Sequence, residues 1–200
     1  MKKVWKKTCA AVCTAAMAVS ATSAAFAAED VDQELRMQYG NALNVYANPT
    51  ESLYGDYSTN KYNNFADMGA WHGYYLPKED EIAIQGGFAG PVIVAEEYPV
   101  NLSGAFSKLE ITKADGTVYS YEDADASGVY YPGKLVQTYD FEDITVNMEL
   151  IFGSDRTALI KTEIVNKTEE DVELKLKWHG DMYTNYGNAE KVMGNSLEAT

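Results

Sequence analysis

The stretch Ile144-Thr145-Val146-Asn147-Met148-Glu149-Leu150-Ile151-Phe152 decides the fold. Ile144, Val146, Met148, Leu150 and Phe152 alternate with Thr145, Asn147 and Glu149, and only Ile151 breaks the pattern. Successive side chains of a β-strand point to opposite faces, so this period of two puts five apolar residues on one face. Residues 172–178 repeat the pattern. Val172, Leu174, Leu176 and Trp178 face one way, and Glu173, Lys175 and Lys177 face the other. Residues 157–165 read as a strand between them, with turns at Gly153-Ser154-Asp155 and over residues 166–170. These three strands predict an antiparallel meander.

Working upstream, residues 106–112 and 118–122 flank Ala114-Asp115-Gly116-Thr117. Asp-Gly between strands signals a hairpin, because both residues tolerate positive φ. Pro132-Gly133 is a turn before a strand over residues 134–139, and residues 90–98 read as a buried strand around Val92-Ile93-Val94-Ala95. About seven short strands with regular turn signals predict an all-β, antiparallel β-sandwich. No crossover-helix pattern supports a parallel α/β sheet. Residues 30–62 are polar and read as loops, with one marginal helix over residues 34–47 broken by Gly40 and Asn41. The glycine- and aromatic-rich residues 65–77 read as a loop. Residues 185–200 trail off without a closing strand, so the sandwich is expected to be incomplete at its C-terminus.

The N-terminus carries Lys2, Lys3, Lys6 and Lys7, an Ala-rich run without acids, and the ending Ala25-Phe26-Ala27. This is the pattern of a secretory signal peptide, with cleavage expected after Ala27 and export to the periplasm or beyond. The expected organisation is signal peptide 1–27, a loop-rich joining segment 28–64, and a sandwich over 65–200. The whole chain has 200 residues, 16 Lys plus Arg, 30 Asp plus Glu and a charge of −14. Cleavage removes four lysines, leaving 173 residues with twelve cations against thirty carboxylates, or −18. Such a chain is ill suited to nucleic acid or to an anionic membrane surface. Cys9 and Cys13 both lie in the signal. The exported part would therefore hold neither disulfides nor thiolate metal sites.

Several constellations could carry chemistry. Phe65-Ala66-Asp67-Met68-Gly69-Ala70-Trp71-His72-Gly73-Tyr74-Tyr75-Leu76-Pro77 gathers Trp, His and two Tyr between glycines. Aromatic faces stack on sugar rings while polar tips bond hydroxyls, so Trp71, His72, Tyr74 and Tyr75 are candidate sugar or domain contacts. The alternative is that Trp71 plugs the sandwich and His72 bonds a backbone carbonyl. Glu96 and Glu97 end the strand from Gly90 and join the candidate list. As strand neighbours they point to opposite faces and make a poor dyad. Glycoside hydrolysis needs two carboxyls about 5–9.5 Å apart across the linkage.

Asp123-Ala124-Asp125-Ala126-Ser127-Gly128 opens like a calcium loop, but Lys134 stands where a bidentate glutamate belongs. A plain acidic turn fits better. His72 and His179, each within Trp-His-Gly, lack a metal-ligand spacing. Residues 86–91 lack the lysine and helix of a phosphate loop, and no G-x-S-x-G elbow occurs. No catalytic residue, metal or cofactor is expected.

Taken together, the segments resemble a known family. Phe65-Ala66-Asp67-Met68-Gly69-Ala70-Trp71-His72-Gly73 with Leu76-Pro77 is similar to a signature of the N-terminal domain of bacterial glycoside hydrolase family 63 enzymes, in the branch of the YgjK-type glucosidases. Gly86-Gly87-Phe88-Ala89-Gly90, Glu96-Glu97-Tyr98, Pro132-Gly133-Lys134-Leu135-Val136-Gln137, Val146-Asn147-Met148-Glu149-Leu150, and Arg156-Thr157 with Leu159 continue the order. The match covers roughly residues 41–180; the second Trp-His-Gly, at residues 178–180, is not part of the family pattern and carries no implied role.

The resemblance implies a large β-sandwich preceding an (α/α)6 barrel that hydrolyses α-glucosides with inversion. The barrel carries the acidic pair, so this chain alone would be non-catalytic. It would pack on the barrel and shape its mouth, with an α-glucoside oligosaccharide as the ligand of the whole. The alternative is a free-standing carbohydrate-binding sandwich, and a blander one is a structural sandwich of the cell envelope.

Overall fold

In the computed structural model, which describes residues 37–49, 63–95, 98–183 and 198–199, the alternating segments become strands. They are β1 (His72–Tyr75), β2 (Ala89–Ala95), β3 (Tyr98–Asn101), β4 (Lys108–Lys113), β5 (Asp125–Tyr131), β6 (Lys134–Asp140), β7 (Ile144–Ser154), β8 (Thr157–Asn166), β9 (Leu174–His179) and β10 (Glu198–Ala199). Short 3-10 turns occur at Ile82–Ile84 and Tyr121–Asp123. The sheets are antiparallel, in the orders β1-β2-β3, β10-β9-β4 and β5-β6-β7-β8. The result is an all-β sandwich. The chain divides into two compact units, Met1–Gly40 and Asn41–Thr200. In the first, the described Met37–Gly40 form a turn, with Gly40 N–H bonded to Met37 O at 3.3 Å. The strands belong to the second.

The alternation of β7 is realised in full. Ile144, Val146, Met148 and Leu150 are completely buried and Phe152 is 7% exposed. Leu135 and Tyr139 of β6 extend that surface, and Leu109 and Ile111 of β4 pack against it from the facing sheet. Burying one such aliphatic side chain stabilises by roughly 1.5–3 kcal/mol. Leu174, Leu176 and Trp178 of β9 join the same core while only half buried, as do Ala158, Ile160 and Ile164 of β8.

One buried position on β6 is polar. Gln137 is 2% exposed. Its Nε2 donates to Gly87 O at 2.9 Å, and its Oε1 lies 2.6 Å from the Tyr139 hydroxyl. That hydroxyl accepts from Gly86 N–H at 3.0 Å and also lies 2.9 Å from Gln85 Oε1. With a single proton, it donates to one glutamine oxygen at a time. The network ties the four-stranded sheet to the 85–87 turn. Asn41 covers the β5 edge: its N–H donates to Tyr130 O at 2.7 Å, and its Oδ1 accepts from Tyr130 N–H at 2.9 Å.

Several expectations need correction. β7 and β8 form the expected hairpin, but β9 leaves the meander and pairs with β4, from Lys108↔His179 to Lys113↔Leu174. That placement puts the apolar face of β9 across the core from β7, and Glu110 and Lys177 become cross-strand partners 3.5 Å apart. The Asp115-Gly116 turn forms, with Gly116 at φ 89, but residues 118–122 do not continue as a strand. After one bridge at Val118, Ser120 Oγ accepts from Glu122 N–H at 3.3 Å and starts a 3-10 turn. Tyr121 then folds inward and bonds Leu109 O at 2.7 Å. The acidic segment 123–128 is a turn only at its start, where Asp123 closes the 3-10 turn, because Asp125 onward pairs along β6 as β5. The loop expected over residues 65–77 contains β1. A strand does follow residue 185, since β10 pairs with β9 through Glu198↔Lys177 and Ala199↔Leu176. Residues 184–197 lie outside the described residues.

Leu150→Ala should destabilise the chain by about 2–5 kcal/mol in urea unfolding, because it opens a cavity in the central strand. Lys161→Thr on the exposed face of β8 should stay within about 0.5 kcal/mol of the parent.

Candidate functional site

Residues 63–77 form an arm closed at its base by backbone bonds. Phe65 N–H donates to Tyr74 O at 2.8 Å and Tyr74 N–H donates to Phe65 O at 2.9 Å. At the tip, Ala70 N–H donates to Asp67 O at 2.9 Å, and Asp67 Oδ1 accepts from Met68 N–H at 2.7 Å. The two central residues, Met68 and Gly69, have φ of 54° and 70°. Two positive φ values in succession mark a type I′ turn, where glycine or asparagine is favoured. A methionine there costs about 1–2 kcal/mol of backbone strain. Met68 is also 60% exposed, so burial does not offset that strain.

Trp71 is 61% exposed. Its ring meets His72 edge-on, with centroids 5.3 Å apart at 70°. It therefore does not plug the sandwich. His72 does the opposite: it is 7% exposed, with its ring 5.3 Å from Phe152 and 5.6 Å from Tyr74. It sits in an aromatic cage, and the surrounding apolar groups push its pKa below the usual 6.5. Tyr74 is half buried beside it, and burial raises its pKa.

β1 alternation sends Tyr75 to the other side of the sheet. There it joins a second apolar cluster with Ala47, Ile84, Ala89, Val92 and Ala105. Burial pushes the Tyr75 phenol up to about 12. Tyr75 is thus not part of the Trp71 surface. Glu96 and Glu97 lie outside the described residues. Among the described residues, no group of three His, Cys, Asp or Glu converges as a metal site.

The two Trp-His-Gly copies share a structural reason for their glycine. A Cβ on Gly73 would stand 2.6 Å from Asn64 Oδ1 and 3.1 Å from Phe65 O. A Cβ on Gly180 would collide with the Phe106 carbonyl. In each copy the chain passes too close to another backbone for a side chain to fit. The histidines then diverge. His72 opens β1 and closes the core, whereas His179 ends β9 opposite Lys108.

The arrangement at residues 65–74 is therefore a hydrogen-bonded, packed base with an apolar tip. His72, Tyr74, Phe65 and Phe152 anchor it, and Met68 and Trp71 are displayed. Sequence reasoning found Trp71 but did not single out Met68. The Asp67-Met68-Gly69-Ala70 spacing was the available signal, a turn dipeptide with an apolar residue in it.

His72 sets a pH dependence. Well above pH 6.5 the imidazole is neutral in both the folded and the unfolded chain, and no linkage arises. Below that value the unfolded chain binds the proton first, so stability falls as pH drops toward the lowered folded pKa. The carboxyls of Asp140 and Asp143 are held low by hydrogen bonds, and their loss belongs to a separate, more acidic window. Urea unfolding between pH 7 and pH 5 should show the parent weakening, while His72→Phe flattens that slope. Identical slopes would refute the assignment.

The model of the family described as the N-terminal domain of glucosidase YgjK matches residues 47–199. That span takes in every strand from β1 to β10, together with the Met68–Trp71 tip. This chain belongs to the family of glucosidase YgjK N-terminal domains, and is thereby a glycoside hydrolase N-terminal domain.

Proposed function

We propose that this chain is the non-catalytic N-terminal sandwich of an exported α-glucosidase-like hydrolase. Its task is to pack on an (α/α)6 catalytic domain and shape the mouth of the α-glucoside site. The observation that carries this reading is the displayed pair Met68 and Trp71 on an arm whose base is locked into the core. A strained, exposed methionine beside an exposed tryptophan fits a surface meant to be covered. Either a barrel helix or a sugar ring would cover it. Glu96 and Glu97 stay candidate contacts in the same reading. The half-covered inner faces of β8 and β9 are further apolar surface that a neighbouring domain would cover.

Export follows from the first 27 residues. Their basic start, apolar middle and Ala25-Phe26-Ala27 end support cleavage after Ala27 and delivery to the periplasm or beyond. The second reading, a free-standing glycan-binding module, draws on the same exposed Trp71, which would be its stacking platform.

Export, the lack of catalysis and the role of Trp71 can each be measured. Mass spectrometry of the exported protein should place its new N-terminus at Ala28. Sequencing the gene past Thr200 should reveal an acidic, helix-rich continuation of several hundred residues, and the purified 200-residue chain should not turn over α-glucosides. Trp71→Ala should leave urea stability within about 0.5 kcal/mol, as expected for an exposed side chain. The same variant should weaken association with the catalytic domain. A stop codon after Thr200, with saturable oligosaccharide binding by a monodisperse chain, would instead establish the module.

A further inference from the structure

A second candidate surface lies at the opposite end of β7. His72 and Trp71 sit near Phe152, whereas Phe141 N–H bonds Ile144 O at 2.9 Å at the start of the strand. A strand rises about 3.4 Å per residue, which separates the two ends by roughly 27 Å. At the Ile144 end, the β4 turn, the 3-10 turn, the β6–β7 connection and the β8–β9 connection converge around a cleft of about 610 Å³. This volume falls within the roughly 300–1,000 Å³ of small-molecule sites.

The lining selects the ligand chemistry. Lys113 Nζ bonds Asp143 Oδ2 at 2.8 Å, and the Tyr119 hydroxyl donates to the same oxygen at 2.8 Å. The ammonium lies 4.6 Å from the Tyr119 ring centroid, and Phe141 backs that ring edge-on at 5.1 Å. These contacts fix the donors and the carboxylate before any ligand arrives. Val118, exposed beside them, supplies an apolar wall. Thr117, Ser120 and Thr168 add hydroxyls, while Asp123 and Glu142 add carboxylates.

An anionic ligand would meet three carboxylates and a lysine already engaged by one of them. A metal ion would find no cluster of three ligating side chains among the described residues. What fits alternating donors and acceptors beside an apolar wall is a molecule whose hydroxyls both give and take hydrogen bonds and whose C–H face is apolar. The geometry points to a binding site for a neutral sugar residue in the Lys113–Tyr119–Asp143 cleft, separate from the Trp71 tip.

The test is titration of the purified full chain with maltotriose, with cellotriose and with putrescine as a cationic control, followed by amide NMR. Either trisaccharide should bind saturably with a dissociation constant of about 1 mM or tighter. The shifts should centre on Lys113, Tyr119 and Thr168. Val118→Arg, at an exposed position, should weaken binding at least tenfold without moving the melting temperature. Lys113→Met should weaken it as much, with a small drop in melting temperature from the lost Asp143 bond. Trp71→Ala should leave it unchanged. No saturable sugar binding, binding of putrescine alone, or shifts that vanish in Trp71→Ala and persist in Lys113→Met would each overturn the site. None of these results depends on a catalytic domain, so the proposed barrel contact and this site succeed or fail separately.

Discussion

The dehydrated inner face of β7 is the constraint on which the structure depends. Five alternating apolar side chains, from Ile144 to Phe152, leave water along a single strand. A one-residue slip would turn all five to solvent, so the register of β6, β7 and β8 is fixed by burial rather than by backbone bonding alone. Leu109 and Ile111 of β4 then have one apolar surface to face, and β9 follows β4 because its own alternating residues need the same core. The layers are a consequence of that burial.

Hydrophobic burial is non-directional, and the polar bridge at Gln137 and Tyr139 supplies the direction it lacks. An unmet Gly86 N–H in this place would cost about 1–3 kcal/mol, comparable to a core side chain. The bridge thereby holds the 85–87 turn at one position over the four-stranded sheet. Close backbone approach at Gly73 does similar work for the arm, bringing residues 64 and 65 against β1. At the tip, the backbone N–H groups of Met68 and Ala70 bond Asp67, and Met68 and Trp71 stay exposed.

The two ends of β7 have different chemistry for a local reason. At the Phe152 end, aromatic rings surround His72 and exclude water, leaving a neutral imidazole and an apolar tip. At the Ile144 end, three connections meet, and their hydroxyls and charges cannot be packed away. A sandwich buries its middle and must leave its ends to loops, which is where recognition concentrates.

The amino-acid sequence by itself determined the fold class, the inward residues of β7, those of β9 from Leu174 to Trp178, and the Asp115-Gly116 turn. Each follows from local periodicity or backbone preference, which neighbours in the chain fix between themselves. The resemblance carried by residues 65–77 also named the family without help from coordinates. Glu96 and Glu97 lie outside the described residues, so their roles rest on the sequence alone. Only the tertiary structure decided that β9 pairs with β4 rather than β8, since both pairings bury the same alternating face. It also made residues 72–75 a strand, turned residues 125–128 into the start of β5, and separated exposed Trp71 from buried His72. Those outcomes depend on which distant backbone comes close enough to bond, and period-two alternation is silent about partners far away in the chain.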